Sequence, residues 1–163
     1  RLPQNVRLRL VGTPEFRSPE LFETLLAAVP EREKRISLAG HVPHHAVAHE
    51  LRKADAMVLP PVPQGKYFSQ IKVFEALGCA LPIVACPLPH LTAFLEHGKT
   101  AFFACEASAE AMAHAVGELM RSPQLRETIR QGSLAMAGDY TWDARAVKIR
   151  DFTAEAIGAH LRR

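Results

Sequence analysis

Hydrophobic and polar positions along this chain switch repeatedly between two periods. "VRLRLV" at 6–11 alternates apolar and basic residues, the period of a strand with one covered face, and stops at Gly12 in the turn "GTPEF". Ser18 and Pro19 then supply an N-cap and a first-position proline. "ELFETLLAAV" carries apolar residues at Leu21, Leu25, Leu26 and Val29, which predicts a helix that Pro30 ends. The alternation continues with a strand over 36–40, a helix over 46–53 and a strand over 56–61. Next come a helix over about 69–77, a strand over 82–86, a short helix over 91–97 and a fifth strand over 100–103. The remainder reads as helical: 109–121 behind a Ser108 cap, 124–137, and a last helix from Trp142 with Thr141 as its N-cap.

Strand-helix units of this kind, with strands too apolar to leave one face in water, predict an α/β fold. The expectation is a Rossmann-like parallel sheet of about five strands with helices on both faces, in one domain over 1–163. In such sheets ligands bind outside the carboxyl ends of the strands, so the loops to search are those near Gly12, Gly40, 61–68 and 87–90. The loop "PPVPQGKYF" is one of them, because its three prolines and glycine remove donors and fix dihedrals, leaving neither helix nor strand. The phosphate-binding patterns GxGxxG and GxxxxGK[ST] do not occur.

Composition changes this picture mainly by exclusion. The chain has 163 residues, of which 48% are hydrophobic and 23% charged, the profile of a globular protein with a sizeable core. A net charge of +3, with the basic group "EREKR" diluted by acids, gives no nucleic-acid footprint. No apolar run approaches the ~20 residues of a membrane span, so no transmembrane segment is expected. The three cysteines, Cys79, Cys86 and Cys105, lack metal-type spacing and suit a reducing, cytoplasmic setting. His41, His44, His45 and His49 crowd together, and the last two have i, i+4 spacing. Without a third ligand they read as solvated residues at a helix start rather than a metal site. The amino end lacks a secretory pattern and begins abruptly close to a strand, which reads as a cut.

The run "SQIKVFEALGCALPIVA" holds the chemistry that composition does not explain. Lys72 and Glu75 fall together on one face of an otherwise apolar helix, and an exposed ion pair there would be worth only a few tenths of a kcal/mol. The setting offers a second reading. The helix follows a loop at a strand end, so the backbone N–H groups near Ser69, Gln70 and Ile71 meet the rim where ligands bind, a position that favours phosphate. A carboxylate one or two turns further in can accept two hydrogen bonds from a vicinal diol. Phosphate together with a diol describes a nucleotide.

The stretch "PPVPQGKYFSQIKVFEALGCALPIVACPLPHLTAFLEHGKTAFF" resembles the nucleotide-sugar-binding core of GT-B glycosyltransferases of family 4, also called group 1. "LRLVG" and "ISLAGHV…HELRKADAMVLP" resemble the segments before it, and "YTWDARA" resembles the family's opening of the last helix, so the likeness covers almost the whole chain. It implies one half of a GT-B fold. By it, Glu75 would contact the ribose hydroxyls, Ser69 and Lys72 would lie nearest the phosphates with Gln70 and Ile71, and Gly40, His41 and Val42 would edge the base. The family's first donor-handling glutamate falls at Tyr67, beside Phe68; a phenol donates one hydrogen bond and cannot serve as a two-oxygen anionic acceptor. His90, in the turn after the fourth strand, is weighed as a donor-side residue against an ordinary polar turn.

The expectation is therefore the donor-binding half of a retaining hexosyltransferase acting on a nucleoside-diphosphate sugar in glycan or glycoconjugate synthesis, with no cofactor and no metal. The family's acceptor-binding N-terminal domain, and the first strand-helix unit with the Arg and Lys that neutralise the diphosphate, would precede Arg1. The chain alone would then be nearly inactive. Any peripheral membrane association would come through that missing domain. Tyr67 supports a rival, a non-catalytic glycosyltransferase-like partner module; a sugar-nucleotide epimerase-like domain is a third reading. The final helix is longer than the domain needs. Its apolar positions Ala146, Ile149, Phe152, Ala156, Ile157 and Leu161 keep a rough three-to-four spacing, and in the resembling family this helix crosses to the N-terminal domain, so its distal part is expected to dock.

Overall fold

A computed structural model describes residues 2–12, 19–60 and 70–160. In it the chain runs β1 (Leu8–Leu10), α1 (Pro19–Ala27), α2 (Arg32–Arg35), β2 (Ile36–Leu38), α3 (His44–Leu51), β3 (Met57–Leu59), α4 (Ile71–Gly78) and β4 (Ile83–Ala85). Then follow α5 (Pro89–Thr92), β5 (Phe102–Phe103), α6 (Ala109–Arg121), α7 (Pro123–Ala137), a 3-10 turn at Gly138–Tyr140 and α8 (Trp142–His160). The fold is α/β with parallel pairing throughout the strands, as expected. The five strands fall into two ladders, β1–β2 and β3–β4–β5, rather than one continuous sheet among the described residues.

β4 shows why these strands lack alternation. Ile83 and Ala85 point into one cluster with Val73, Ala76 and Leu77 of α4 and with Leu91 and Leu95. Val84 and Cys86 point the other way, into Ala111, Met112, Ala115, Val116 and Leu119 of α6 and Ile129 of α7. Successive side chains leave a strand on opposite faces, and here both faces are covered, so every position must be apolar. Each fully buried Leu or Ile, such as Leu77, Ile83 and Leu119, contributes about 1.5–3 kcal/mol by leaving water.

The helix ends follow from local hydrogen bonds. Ser108 Oγ accepts from Ala111 N at 3.1 Å and starts α6, Ser122 Oγ accepts from Leu125 N at 3.2 Å and starts α7, and Thr141 Oγ1 accepts from Ala144 N at 3.1 Å and starts α8. Arg126 Nη1 donates to the carbonyls of Leu119 and Met120, closing the carboxyl end of α6.

Two differences from the sequence expectation have clear causes. The helix expected over 91–97 is one turn, Pro89–Thr92, displaced toward Pro89, whose ring pre-sets a first helical turn. It does not continue because the hydroxyl of Thr100 accepts from Glu96 N at 2.8 Å, and Gly98, at φ 72°, reverses the chain there. The segment "EREKR" forms the short helix α2, still solvent-facing, with Lys34 paired to Glu31 at 2.8 Å and Arg32 to Glu23 at 3.6 Å.

The last helix stands apart. Trp142 is 81% and Phe152 74% exposed, and Val147, Ile149 and Ile157 are exposed as well. Contact with the rest of the fold is concentrated at its start, where the Lys148 ammonium lies 5.7 Å from the Tyr140 ring. The expectation that this helix does not complete the core along its length matches these exposures; Leu161 lies outside the described residues. No helix among the described residues is long and apolar enough to cross a membrane.

Candidate functional site

α3 and α4 approach each other at two points. His44 Nδ1 lies 3.7 Å from Glu75 Oε1, and one turn further along both helices Cys79 Sγ reaches the Ala48 carbonyl at 3.9 Å. α3 begins shortly past the carboxyl end of β2, and Gln70 at the start of α4 donates to the carbonyl of His90 in α5, shortly past β4, which places both helix starts at the rim singled out above. The rim is shaped by two glycines. Gly12 N donates to the Gly40 carbonyl at 2.8 Å, and both residues have positive φ, 118° and 66°, which a side chain would strain.

Within α4 the two charged residues differ. Glu75 is largely buried, its side chain 15% exposed, whereas Lys72 is exposed. Lys72 Nζ donates to Glu75 Oε2 at 3.1 Å. The other carboxylate oxygen, Oε1, is shut off from water and has no hydrogen-bond partner among the described residues. A buried acceptor left unpaired costs about 1–3 kcal/mol, more when charged, so this oxygen marks a place where a donor is wanted. The periodicity argument groups Lys72 with Glu75 correctly as a pair; it does not reveal that only one of them is solvated.

The other expected site residues scatter around this carboxylate. Gln70 is the N-cap residue of α4, and its side-chain amide donates to the His90 carbonyl at 3.3 Å, tying the helix start to α5. Ile71 is 59% exposed at the helix start. Gly40 and His41 are exposed and Val42 is half-buried, on the loop leading into α3. Tyr67, Phe68 and Ser69 lie outside the described residues. His44, read from the sequence as one of four solvated helix-start histidines, is indeed exposed at the start of α3, but its approach to Glu75 is not foreseen there. Its partner stands on a different helix, and nothing local to "PHHAVAHE" announces the contact.

A larger cavity, of about 580 Å³, lies elsewhere. It is lined by Asp55 and Pro82, just before β3 and β4, and by the carboxyl-end segments of α3 and α4, so it sits at the opposite end of the strands from the rim. Its Arg130 is paired with Glu127 at 2.9 Å and its Arg126 with backbone carbonyls. Arg52 and Asp55 also line it, but it lies at the amino ends of the strands, whereas ligands of such sheets bind outside the carboxyl ends. The smaller but chemically unfinished arrangement at Glu75 is the better candidate. Among the described residues no three His, Cys, Asp or Glu side chains converge as a metal site. Burial pushes the thiols of Cys79 and Cys86 up, away from thiolate chemistry.

Comparison with known proteins fits this α/β architecture and rim. Residues 1–122 match the family described as glycosyl transferases group 1, and the chain belongs to that family. It is 26% identical over 141 residues to a D-inositol 3-phosphate glycosyltransferase of Jonesia denitrificans, covering 85% of this chain and 32% of that protein. It is 27% identical over 104 residues to the protein of the same name from Frankia alni, covering 64% of this chain and 25% of that one. The chain therefore spans a third or less of the curated relatives it matches. Among solved structures, Anabaena HepE in complex with UDP-glucose superposes with a TM-score of 0.75 at 20% identity, over 97% of this chain and 42% of that one. Sucrose-phosphate synthase from Thermosynechococcus elongatus gives 0.75 at 21%, over 94% and 39%. At such identities these likenesses establish the fold alone, a Rossmann-like α/β domain of the kind that makes up one half of a GT-B fold.

Proposed function

We propose that this chain is the donor-binding half of a retaining hexosyltransferase, which takes its sugar from a nucleoside-diphosphate sugar for glycan or glycoconjugate synthesis. The observation that carries the reading is the half-satisfied carboxylate of Glu75. One oxygen is held by Lys72 and the other is buried and unpaired, at the strand-end rim of a group 1 glycosyltransferase fold. In this reading the vicinal hydroxyls of a ribose complete Glu75. Lys72, Gln70, Ile71 and Ser69 would serve the diphosphate, Gly40, His41 and Val42 would edge the base, and Phe68 and Tyr67, the latter standing where the family has a donor-handling glutamate, would belong to the same donor site. The HepE structures hold UDP or UDP-glucose, which makes UDP the first probe.

The same reading places an acceptor-binding N-terminal domain, and a first strand-helix unit of this domain, in sequence upstream of Arg1. Two ladders with unpaired edges, β1–β2 and β3–β4–β5, are what a doubly wound sheet becomes when a central strand is left out, and the exposed apolar side chains of α8 suit a helix that docks on another domain. Without the cations of the upstream unit the chain alone would bind weakly and transfer little. The protein would act in the cytoplasm. Tyr67, standing where the family has a glutamate, favours the second reading of a non-catalytic partner module, which transfer activity of the whole protein from a UDP-sugar would overturn.

The first test is titration of the chain with UDP and with 2′-deoxy-UDP, followed by NMR, for wild type and Glu75→Gln. Hydrogen bonds to a charged group contribute about 1.5–3 kcal/mol, so Glu75→Gln should weaken UDP roughly tenfold or more, and 2′-deoxy-UDP should bind less well than UDP to the wild type. Equal affinities for the two proteins would remove the ribose role from Glu75.

A further inference from the structure

We propose that His44 is part of this site and that its protonation decides whether Glu75 Oε1 is available to a ligand hydroxyl. The inference rests on the reading of Glu75 as the hydroxyl-binding carboxylate. Its basis is one distance and two environments. His44 Nδ1 stands 3.7 Å from Oε1, just beyond hydrogen-bond reach, on a side chain 89% exposed, while the oxygen it faces is buried and has no hydrogen-bond partner. His44 is the first residue of α3, and no side chain caps the start of that helix, so rotation of the imidazole need break no cap.

A neutral imidazole at this distance leaves Oε1 open. An imidazolium has reason to close the remaining distance, about 1 Å to a charge-assisted bond, since such a bond to a carboxylate is about twice as strong as a neutral one. The proton on His44 and the hydroxyl of a ligand then compete for one oxygen. Lys72 does not relieve the competition, because it already holds Oε2. The groups around the carboxylate are otherwise quiet. Cys79, one turn along α4, is kept neutral by burial, with Arg52 beyond it at the end of α3. No contact joins His41, His45 or His49 to Glu75 among the described residues. The sign follows directly: binding should be stronger with His44 neutral than with His44 protonated, and so weaker in acid.

The experiment is the UDP titration by NMR at about pH 8 and about pH 5.5, on the chain as it stands, for wild type, His44→Ala, His44→Lys and Glu75→Gln. UDP's own terminal phosphate gains a proton in this range, near pH ~6 for phosphate monoesters in general, and that contribution is common to all four proteins. The expected result is a several-fold loss of affinity at low pH in wild type, clearly larger than in His44→Ala, and weak binding at both pH values in His44→Lys, which fixes the cation in place. His44→Ala with the same pH slope as wild type, or His44→Lys with wild-type affinity at high pH, would overturn the role of His44. If Glu75→Gln weakens UDP in the same series, the donor-site reading survives that failure. Glu75→Gln indistinguishable from wild type, or no binding by wild type at millimolar UDP, would overturn both.

Discussion

The two halves of this domain use the same strand-helix units to different degrees of completion. Around β4 every residue is buried, both faces are covered by helices, and the strand has neighbours on both edges. Around β1 and β2 the ladder has two strands, Leu38 is 52% exposed, and Leu21 and Leu25 of α1 face solvent. An isolated two-stranded ladder is marginal in water, so the β4 half must carry the stability of the chain while the β1 half depends on what packs against it. Arg9 of β1 reaches Glu50 of α3 at 2.7 Å, and Lys53 reaches the same carboxylate at 2.6 Å, so one clamp fastens the poorly covered ladder to the helix that carries His44.

The contrast can be broken most severely at Gly132. A Cβ there would sit 2.0 Å from the Lys99 carbonyl oxygen, where α7 presses on the turn before β5 and Ser133 Oγ donates to the Thr100 carbonyl at 3.2 Å. Because the obstacle is backbone, Gly132→Ala should cost about 3 kcal/mol or more, and urea denaturation should show the loss of the β4 half. One chemical change placed in both halves sharpens the same contrast. Leu77→Ala should cost about 2–5 kcal/mol and Leu38→Ala less than about 1 kcal/mol; similar losses from the two would contradict the uneven division of stability.

A gain is expected at Ala80. Leu81 N bonds to the Ala76 carbonyl and Ala80 N to the Leu77 carbonyl, both at 2.9 Å, the paired bonds of a helix end that turns through a left-handed residue. Ala80 holds φ 51°, where a side chain costs about 1–2 kcal/mol, so Ala80→Gly should raise the denaturation midpoint by an amount near the lower figure after the entropy of glycine is offset. The smallest effect is expected in the β1 half. The hydrogen bonds from Lys53 and then Arg9 hold the Glu50 carboxyl below the usual range. A lowered folded-state value adds stability above the unfolded value of about 4.3, and that stability is lost as pH falls through the folded value. Glu50→Gln should therefore flatten the acid side of the stability profile, measured by denaturation between about pH 7 and pH 3, and leave its neutral side less stable than wild type.

How far the sequence disclosed all this depended on how local each feature is. α6 begins at the residue its pattern predicts, because Ser108 acts within a turn of its own position. α8 likewise starts where Thr141 caps it. The one-turn length of α5 was hidden, since it depends on the Thr100 hydroxyl returning from the far side of a turn to claim Glu96 N. The split of the strands into two ladders was hidden as well, because each strand looks equally apolar whether or not a neighbour is present. At the site, the Lys72–Glu75 pair followed from helical spacing. The burial of Glu75 and its approach to His44 did not, as both depend on residues distant in the chain.

The chain contains a single tryptophan, and it is Trp142, almost bare at the start of α8 with the Arg145 guanidinium 5.6 Å from its ring. Its fluorescence in the native protein is therefore already that of an indole in water. Melting of the β4 core would pass with little change in emission. The protein carries a built-in optical probe that is nearly blind to its own folding.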